Sequence, residues 1–297
     1  MRTVKIISCY AGFRGEWNTS SDVSECLSVI KFQVNTLKNL NQGVPMDAIF
    51  VNQINEDLFM DSKSRIEYAT YLNYLDSLQG AKIPNGKILI EHRKNIGAMN
   101  GAYSYARKKY RDNYDYFWFS EDDRINVSDN VMAFGINQLK DTNAGFVTTT
   151  SLLNGMSKPR YMPEKFIKKR SGRFRVTGGA GITSNEVLGT IFWTKKTRNL
   201  YELPHFNNKI ECTQRSIKQN DTLTHQSYEH SLANIIYNVG YDLSHLSEEN
   251  DLIIHWKNRS YDPKWGMPST GKGGWVAHSL PWSKSMNENY DLNTQLI

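Results

Sequence analysis

The sequence predicts an α/β protein with a mostly parallel central sheet covered by helices. Two observations point there. Short β-branched or aromatic runs at residues 4–9, 47–51, 87–90 and 114–119 are too brief for core helices and suit strands buried on both faces. Between them lie longer stretches with apolar residues at helical spacing, and strands alternating with helices of these lengths build a helix-covered parallel sheet.

In order, the first run leads into Tyr10-Ala11-Gly12-Phe13-Arg14-Gly15. A buried strand followed by such a loop is a common nucleotide position in open α/β sheets, where ligands lie beyond strand carboxyl ends. Tyr10 suits stacking on a base or an ordinary core position. The loop is neither G-x-G-x-x-G nor a P-loop. Residues 21–40 form a helix with Val23, Leu27, Ile30 and Val34 on one face, and residues 47–51 the second strand. A polar, partly helical excursion over 55–78 precedes the third strand, which runs into Glu91-His92-Arg93-Lys94-Asn95-Ile96-Gly97. Asn95 suits an N-cap for a helix burying Met99, Tyr103, Ala106 and Tyr110.

The next strand ends abruptly in Glu121-Asp122-Asp123. Adjacent like charges raise one another's cost unless something positive sits among them. A divalent cation answers this, because Mg²⁺ binds one or two carboxylates together with substrate phosphates. An acidic loop opening the next helix is the plain alternative, with Ser128 or Asp129 capping residues 130–140.

Composition narrows the classes. A net charge of +6 and a pI near 9.0 suit a polyanionic partner. Cys9, Cys26 and Cys212 are odd in number and widely spaced, against a disulfide framework or a zinc site. No apolar run reaches transmembrane length and the first residues do not form a secretory signal. A sequon at Asn126 would set a glycan beside the acids, so the expected location is cytoplasmic.

Strand and Tyr10, a second strand, Arg93-x-Asn95-x-Gly97 opening a helix, then an aromatic strand ending Glu121-Asp122-Asp123: this order resembles the nucleotide-binding half of GT-A-type, family-2-like glycosyltransferases over residues 4–255. The resemblance implies a single Rossmann-type domain over 1–256, with a nucleotide-sugar half at 1–125 and an acceptor half at 126–256. It implies Mn²⁺ or Mg²⁺ on Asp123, with His255 completing the metal shell. Glu121 would face the ribose or donor sugar, and Asp122 would be structural or support the donor site. Tyr10 and Arg93 would lie along the base, and Asn95 would fix the loop beside the diphosphate. The family often has an acid ending the second strand; this chain has Asn52-Gln53.

Residues 145–150 read as a further strand, followed by a basic segment (Lys165, Lys168, Lys169, Arg170, Arg173, Arg175). That segment is a solvated face or a patch for an anionic acceptor or lipid headgroups. Gly178 and Gly179, with Gly181, permit close backbone approach or a tight turn into the next helix; the resemblance puts the pair beside donor sugar and acceptor. Glu229 lies in the first turn of a helix closed by Gly240, where an acid is favoured by the macrodipole or serves as general base. The family's base resembles Glu229, with Asp221 in reserve. Residues 257–297, with Trp265, Trp275 and Trp282, read as an irregular lid or a poorly packed tail.

The expected function is metal-dependent, inverting transfer from a nucleoside diphosphate sugar to a hydroxyl of a glycan or lipid-linked saccharide. Peripheral contact at the inner membrane face is expected, and no nucleic-acid partner. A sugar-nucleotide-forming nucleotidyltransferase and a non-catalytic glycan-binding protein are the alternatives.

Overall fold

The computed structural model describes residues 1–9, 23–54, 62–94, 98–122, 124–126, 128–148, 153–154, 174–175, 180–192, 236, 239–246, 253–257 and 274–277. Among them the elements run β1 (Thr3–Cys9), α1 (Val23–Asn39), β2 (Met46–Ile54), α2 (Ser62–Ser77), β3 (Lys82–Ile83), β4 (Gly86–Lys94), α3 (Ala98–Tyr110), β5 (Tyr116–Glu121) and β6 (Arg124–Asn126). There follow α4 (Val131–Asp141), β7 (Ala144–Thr148), β8 (Leu153–Asn154), β9 (Phe174–Arg175), β10 (Gly181–Ser184), α5 (Asn185–Phe192), β11 (Asp242–His245), β12 (Ile253–Lys257) and β13 (Gly274–Ala277).

The protein is α/β. Eight strands form a mixed sheet in the order β11-β7-β10-β5-β1-β2-β4-β3, and β13-β12-β6 form a second, three-stranded sheet. β1 is buried along its whole length and β5 from Phe117 onward. Their near-continuous apolar character follows from burial on both faces.

The expectation of a mostly parallel sheet holds only in part. β2 pairs parallel with β4 and β7 with β11, but β10 lies antiparallel to both β5 and β7, and β3 antiparallel to β4. At β10 the packing is close. A Cβ on Gly181 would strike the Phe146 ring and come within 2.6 Å of the Val147 carbonyl oxygen. Only a residue without a side chain lets this strand pass between its neighbours. The turn into α5 follows it rather than preceding it.

The chain divides into two compact units, and the division falls within β1 and at the end of β5. The first comprises Met1–Ile6, Asn95–Ser120 and Met132–Leu246. There α3 buries Met99, Ala102, Tyr103 and Ala106, with the Tyr103 and Phe119 rings 4.8 Å apart. Gly240, at φ 97°, lets the Tyr241 amide donate back to the Ile236 carbonyl at 3.2 Å, the closure of a Schellman turn.

The second unit comprises Ile7–Lys94, Glu121–Val131 and Ser247–Ile297. Here α1 buries Val23, Cys26, Ile30, Phe32 and Val34, and α2 buries Tyr68, Tyr71 and Leu75. Asp129, one of the two expected caps of α4, accepts the Asn41 amide at 2.6 Å. Within the segment expected to be an irregular lid, Gly274–Ala277 is a strand paired antiparallel with β12.

Candidate functional site

The acids that end β5 belong to the second unit, and their neighbours are buried and bonded. Arg124 Nε donates to Glu121 Oε2 at 2.9 Å, with side chains only 6% and 10% exposed. The positive charge that the acidic run demanded is therefore present in the chain itself, three residues on. Repulsion among carboxylates no longer argues by itself for a cation.

Asp122 is fixed through its backbone. Its amide donates to the Ser8 carbonyl at 3.0 Å, and its carbonyl accepts from Gln33 Nε2 at 2.7 Å. Gln33 comes from the buried side of α1 and is fully enclosed. Its Oε1 has no hydrogen-bond partner among the described residues. A neutral hydrogen bond contributes about 0.5–1.5 kcal/mol, whereas an unpaired buried acceptor costs about 1–3 kcal/mol. Gln33 thus makes little net contribution to stability. Tyr71 on α2 faces the same acid: burial first, then Cys9, Asp122, Cys26 and Tyr68, hold its hydroxyl well above the usual phenol range. It stays neutral at any physiological pH. Cys9 and Cys26 are buried thiols outside any disulfide, and the Cys9 thiol donates to the Ile7 carbonyl at 3.6 Å.

The ends of β1, β2 and β4 carry a polar relay. Gln53 Nε2 donates to Ser8 Oγ at 3.2 Å, and Arg93 Nη1 donates to Gln53 Oε1 at 3.2 Å. The parallel register makes Gln53 and Arg93 direct partners, as it does Asn52 and His92 one step back. Alternation then sends the second pair to the opposite face. There Asn52 Nδ2 lies 3.1 Å from His92 Nδ1, while His92 Nε2 lies 2.8 Å from Asp76 Oδ1.

β6 pairs antiparallel with β12, with Cα partners Ile253↔Asn126, Ile254↔Ile125 and His255↔Arg124. The register brings the backbone of His255 beside the residue that follows Asp123. Asn126 is buried, and its amide donates to the Ser128 carbonyl at 2.9 Å, so the sequon there is not presented to solvent.

Of the sequence-predicted site residues, Arg93, Glu121 and Asp122 are described in full and share this unit, and His255 is described in its backbone. Tyr10, Asn95, Asp123, Gly178, Gly179, Asp221 and Glu229 lie outside the described residues. Sequence reasoning missed Arg124, Gln33 and Ser8. Arg124 had a signal, a basic residue at the end of the acidic run. Gln33 had a fainter one, an amide between Phe32 and Val34 on a helix read only for its apolar face.

No protein-family model matches the chain, and no curated protein sequence matches it. Among the described residues no group of three or more His, Cys, Asp or Glu converges as a metal site. Glu121 is already paired with Arg124, and Asp123 and the side chain of His255 lie outside the described residues.

Proposed function

We propose that the chain is a metal-dependent glycosyltransferase on a GT-A-like fold, moving a sugar from a nucleoside diphosphate sugar to a hydroxyl of a glycan or lipid-linked saccharide. The observation that carries this reading is the β6–β12 register, which pairs His255 with Arg124 directly after the acids. The Ser8–Gln53–Arg93 relay at neighbouring strand ends supports a nucleotide on the same side.

Asp123 and His255 would hold Mn²⁺ or Mg²⁺, which when bound neutralises charge on the departing diphosphate. Arg93, oriented by Gln53, would lie along the base with Tyr10, and Asn95 would fix the diphosphate loop. Glu121, anchored by Arg124, would present a fixed carboxylate to the ribose or donor sugar. Gly178 and Gly179 would border the sugar and the acceptor. The acceptor oxygen bonds to the anomeric carbon as the bond to the diphosphate oxygen breaks, and the electron pair leaves with the diphosphate. Glu229, or Asp221 in reserve, takes the hydroxyl proton, and the configuration inverts. The setting would be cytoplasmic, with peripheral membrane contact; no helix among the described residues is long and apolar enough to cross a membrane.

Slow release of nucleoside diphosphate from a panel of sugar nucleotides in Mn²⁺, abolished by Asp123→Ala, is the expected result. Release of pyrophosphate from a nucleoside triphosphate would instead establish nucleotidyl transfer.

A further inference from the structure

We propose that the carboxyl end of α3, with the turn after it and Arg2, is a docking surface for an anionic lipid bilayer. The inference rests on the transfer reading only in giving its peripheral membrane contact a surface; the charges and rings that form the surface stand without it.

α3 carries Arg107, Lys108 and Lys109 in its last turn. The helix macrodipole favours cations there, which by itself would account for them. The cluster does not end with the helix, however. Arg111 follows in the turn with half its side chain exposed, and Arg2 arrives from the segment before β1, its Nη2 donating to the Asp112 carbonyl at 3.2 Å. A residue 110 positions away owes nothing to the dipole of α3. Lys108, Lys109, Arg111 and Arg2 are all exposed and belong to one compact unit. The acids among them are Asp112 and Asp115, and both are engaged: Asp112 lies 3.7 Å from Arg111 Nε, and Asp115 accepts the Arg2 amide at 2.7 Å. The surplus is positive.

The turn that presents Arg111 is held in place. Asn185, at the start of α5, donates its side-chain amide to the Arg111 carbonyl and its backbone amide to the Asp115 carbonyl, both at 2.8 Å. A surface already ordered loses less freedom when it docks.

Two tyrosines favour lipid over other polyanions. Lys109 Nζ lies over the Tyr105 and Tyr110 rings, 5.9 and 5.6 Å from their centres, and both rings are half-buried. Tyrosine settles at the headgroup level of a bilayer, and long basic side chains lay their stems along such rings while their charges reach the phosphates. Single-stranded nucleic acid needs open aromatic faces on which bases stack, and here a lysine covers them.

The test is cosedimentation with vesicles of equimolar phosphatidylserine and phosphatidylcholine, beside vesicles of phosphatidylcholine alone, without nucleotide or metal. The wild type is expected to pellet with the acidic vesicles only and to be released by salt. Each basic side chain near such a surface contributes about fivefold, so the triple variant Lys108→Gln, Lys109→Gln, Arg111→Gln is expected to bind on the order of a hundredfold more weakly. Its urea midpoint should match the wild type, since all three side chains are exposed. Lys63→Gln, Lys82→Gln and Lys87→Gln together remove the same charge from exposed positions of the other unit and are expected to leave binding largely intact. A wild type that ignores the acidic vesicles overturns the inference, and so does equal binding by the two triple variants. A single-stranded oligonucleotide that binds the wild type where the vesicles do not assigns the patch to nucleic acid and overturns it too. Each of these results leaves sugar transfer to be judged by nucleoside diphosphate release, and failure of that release leaves the vesicle result standing.

Discussion

Arg124 Nε donates to Glu121 Oε2 across 2.9 Å, and both side chains are almost wholly withdrawn from water. The pair closes the acidic run on itself. Removing one partner of a buried ion pair leaves the other charge uncompensated, at about 3–5 kcal/mol. Arg124→Met and Glu121→Gln are each expected to lower stability by about that amount in urea denaturation. The double variant is expected to recover most of it. Additive losses would show that the two charges do not depend on each other.

With Glu121 satisfied by a guanidinium, the proposed transfer reading leaves Asp123 and His255 as the cation ligands to test. Asp123→Asn and His255→Ala are each expected to raise the Mn²⁺ requirement of nucleotide binding by about 10–100-fold, in the range known for lost ligand support. Isothermal titration with a nucleoside diphosphate at several Mn²⁺ concentrations reads this directly. Equal nucleotide affinity with and without Mn²⁺ in the wild type would remove the cation from the reading.

Much of the frame was legible because hydrophobic burial writes itself into periodicity. The helices expected over 21–40 and 130–140 are α1 and α4, and Met99, Tyr103 and Ala106 are buried on α3. Pairing direction was not legible. β10 is four residues long, and its antiparallel pairing with β5 and β7 leaves no periodic trace. Arg93, Glu121 and Asp122 could be singled out because strand ends concentrate polar groups. Gln33 escaped because its meaning comes from a carbonyl far away in sequence, and Arg124 because an acidic run invites thought of a metal before an arginine. The same burial that hid these roles makes them testable.

Gly181 offers a clean case of steric need. An added methyl would meet the Phe146 ring and the Val147 carbonyl oxygen at 2.6 Å, between two strands that cannot separate without losing their ladder bonds. Gly181→Ala is expected to destabilise by about 2 kcal/mol or more, within the range for overpacked cores. Phe146→Leu in the same chain is expected to restore part of that loss. The readout is the urea midpoint of the single and double variants.

The Ser8–Gln53–Arg93 relay predicts an effect at a distance. Gln53 uses both ends of its amide inside the protein, so it orients Arg93 without needing to touch a ligand. Gln53→Leu is expected to weaken nucleoside diphosphate binding about tenfold, close to the loss from Arg93→Ala, which is about 1.4 kcal/mol in each case. Destabilisation of about 1–2 kcal/mol should accompany the first, since Gln53 is buried. Fluorescence competition at fixed Mn²⁺ measures the affinity, and a loss confined to Arg93→Ala would rule out the orienting role.

Lys5 on β1 carries the sharpest pH dependence. It is fully enclosed, its Nζ lies 4.1 Å from the centre of the Trp118 ring, and that nitrogen has no hydrogen-bond partner among the described residues. Burial lowers its pKa from 10.5 to about 7. Between those two values the unfolded chain holds the proton and the folded chain does not. Stability from this group therefore rises with pH across the window, by up to about 1.4 kcal/mol per unit. The cost is fully present below about 7, where both states are charged, and vanishes above 10.5, where neither is. Its size at low pH is on the order of 4–5 kcal/mol, part of it offset by the attraction of the ammonium for the indole face. Lys5→Met is accordingly expected to be more stable than the wild type at pH 6 by about 2 kcal/mol or more. That advantage should shrink steadily as urea denaturation is repeated at pH 7, 8, 9 and 10. An advantage that stays constant over this series would mean that the amine keeps its proton inside the fold, held by the Trp118 ring.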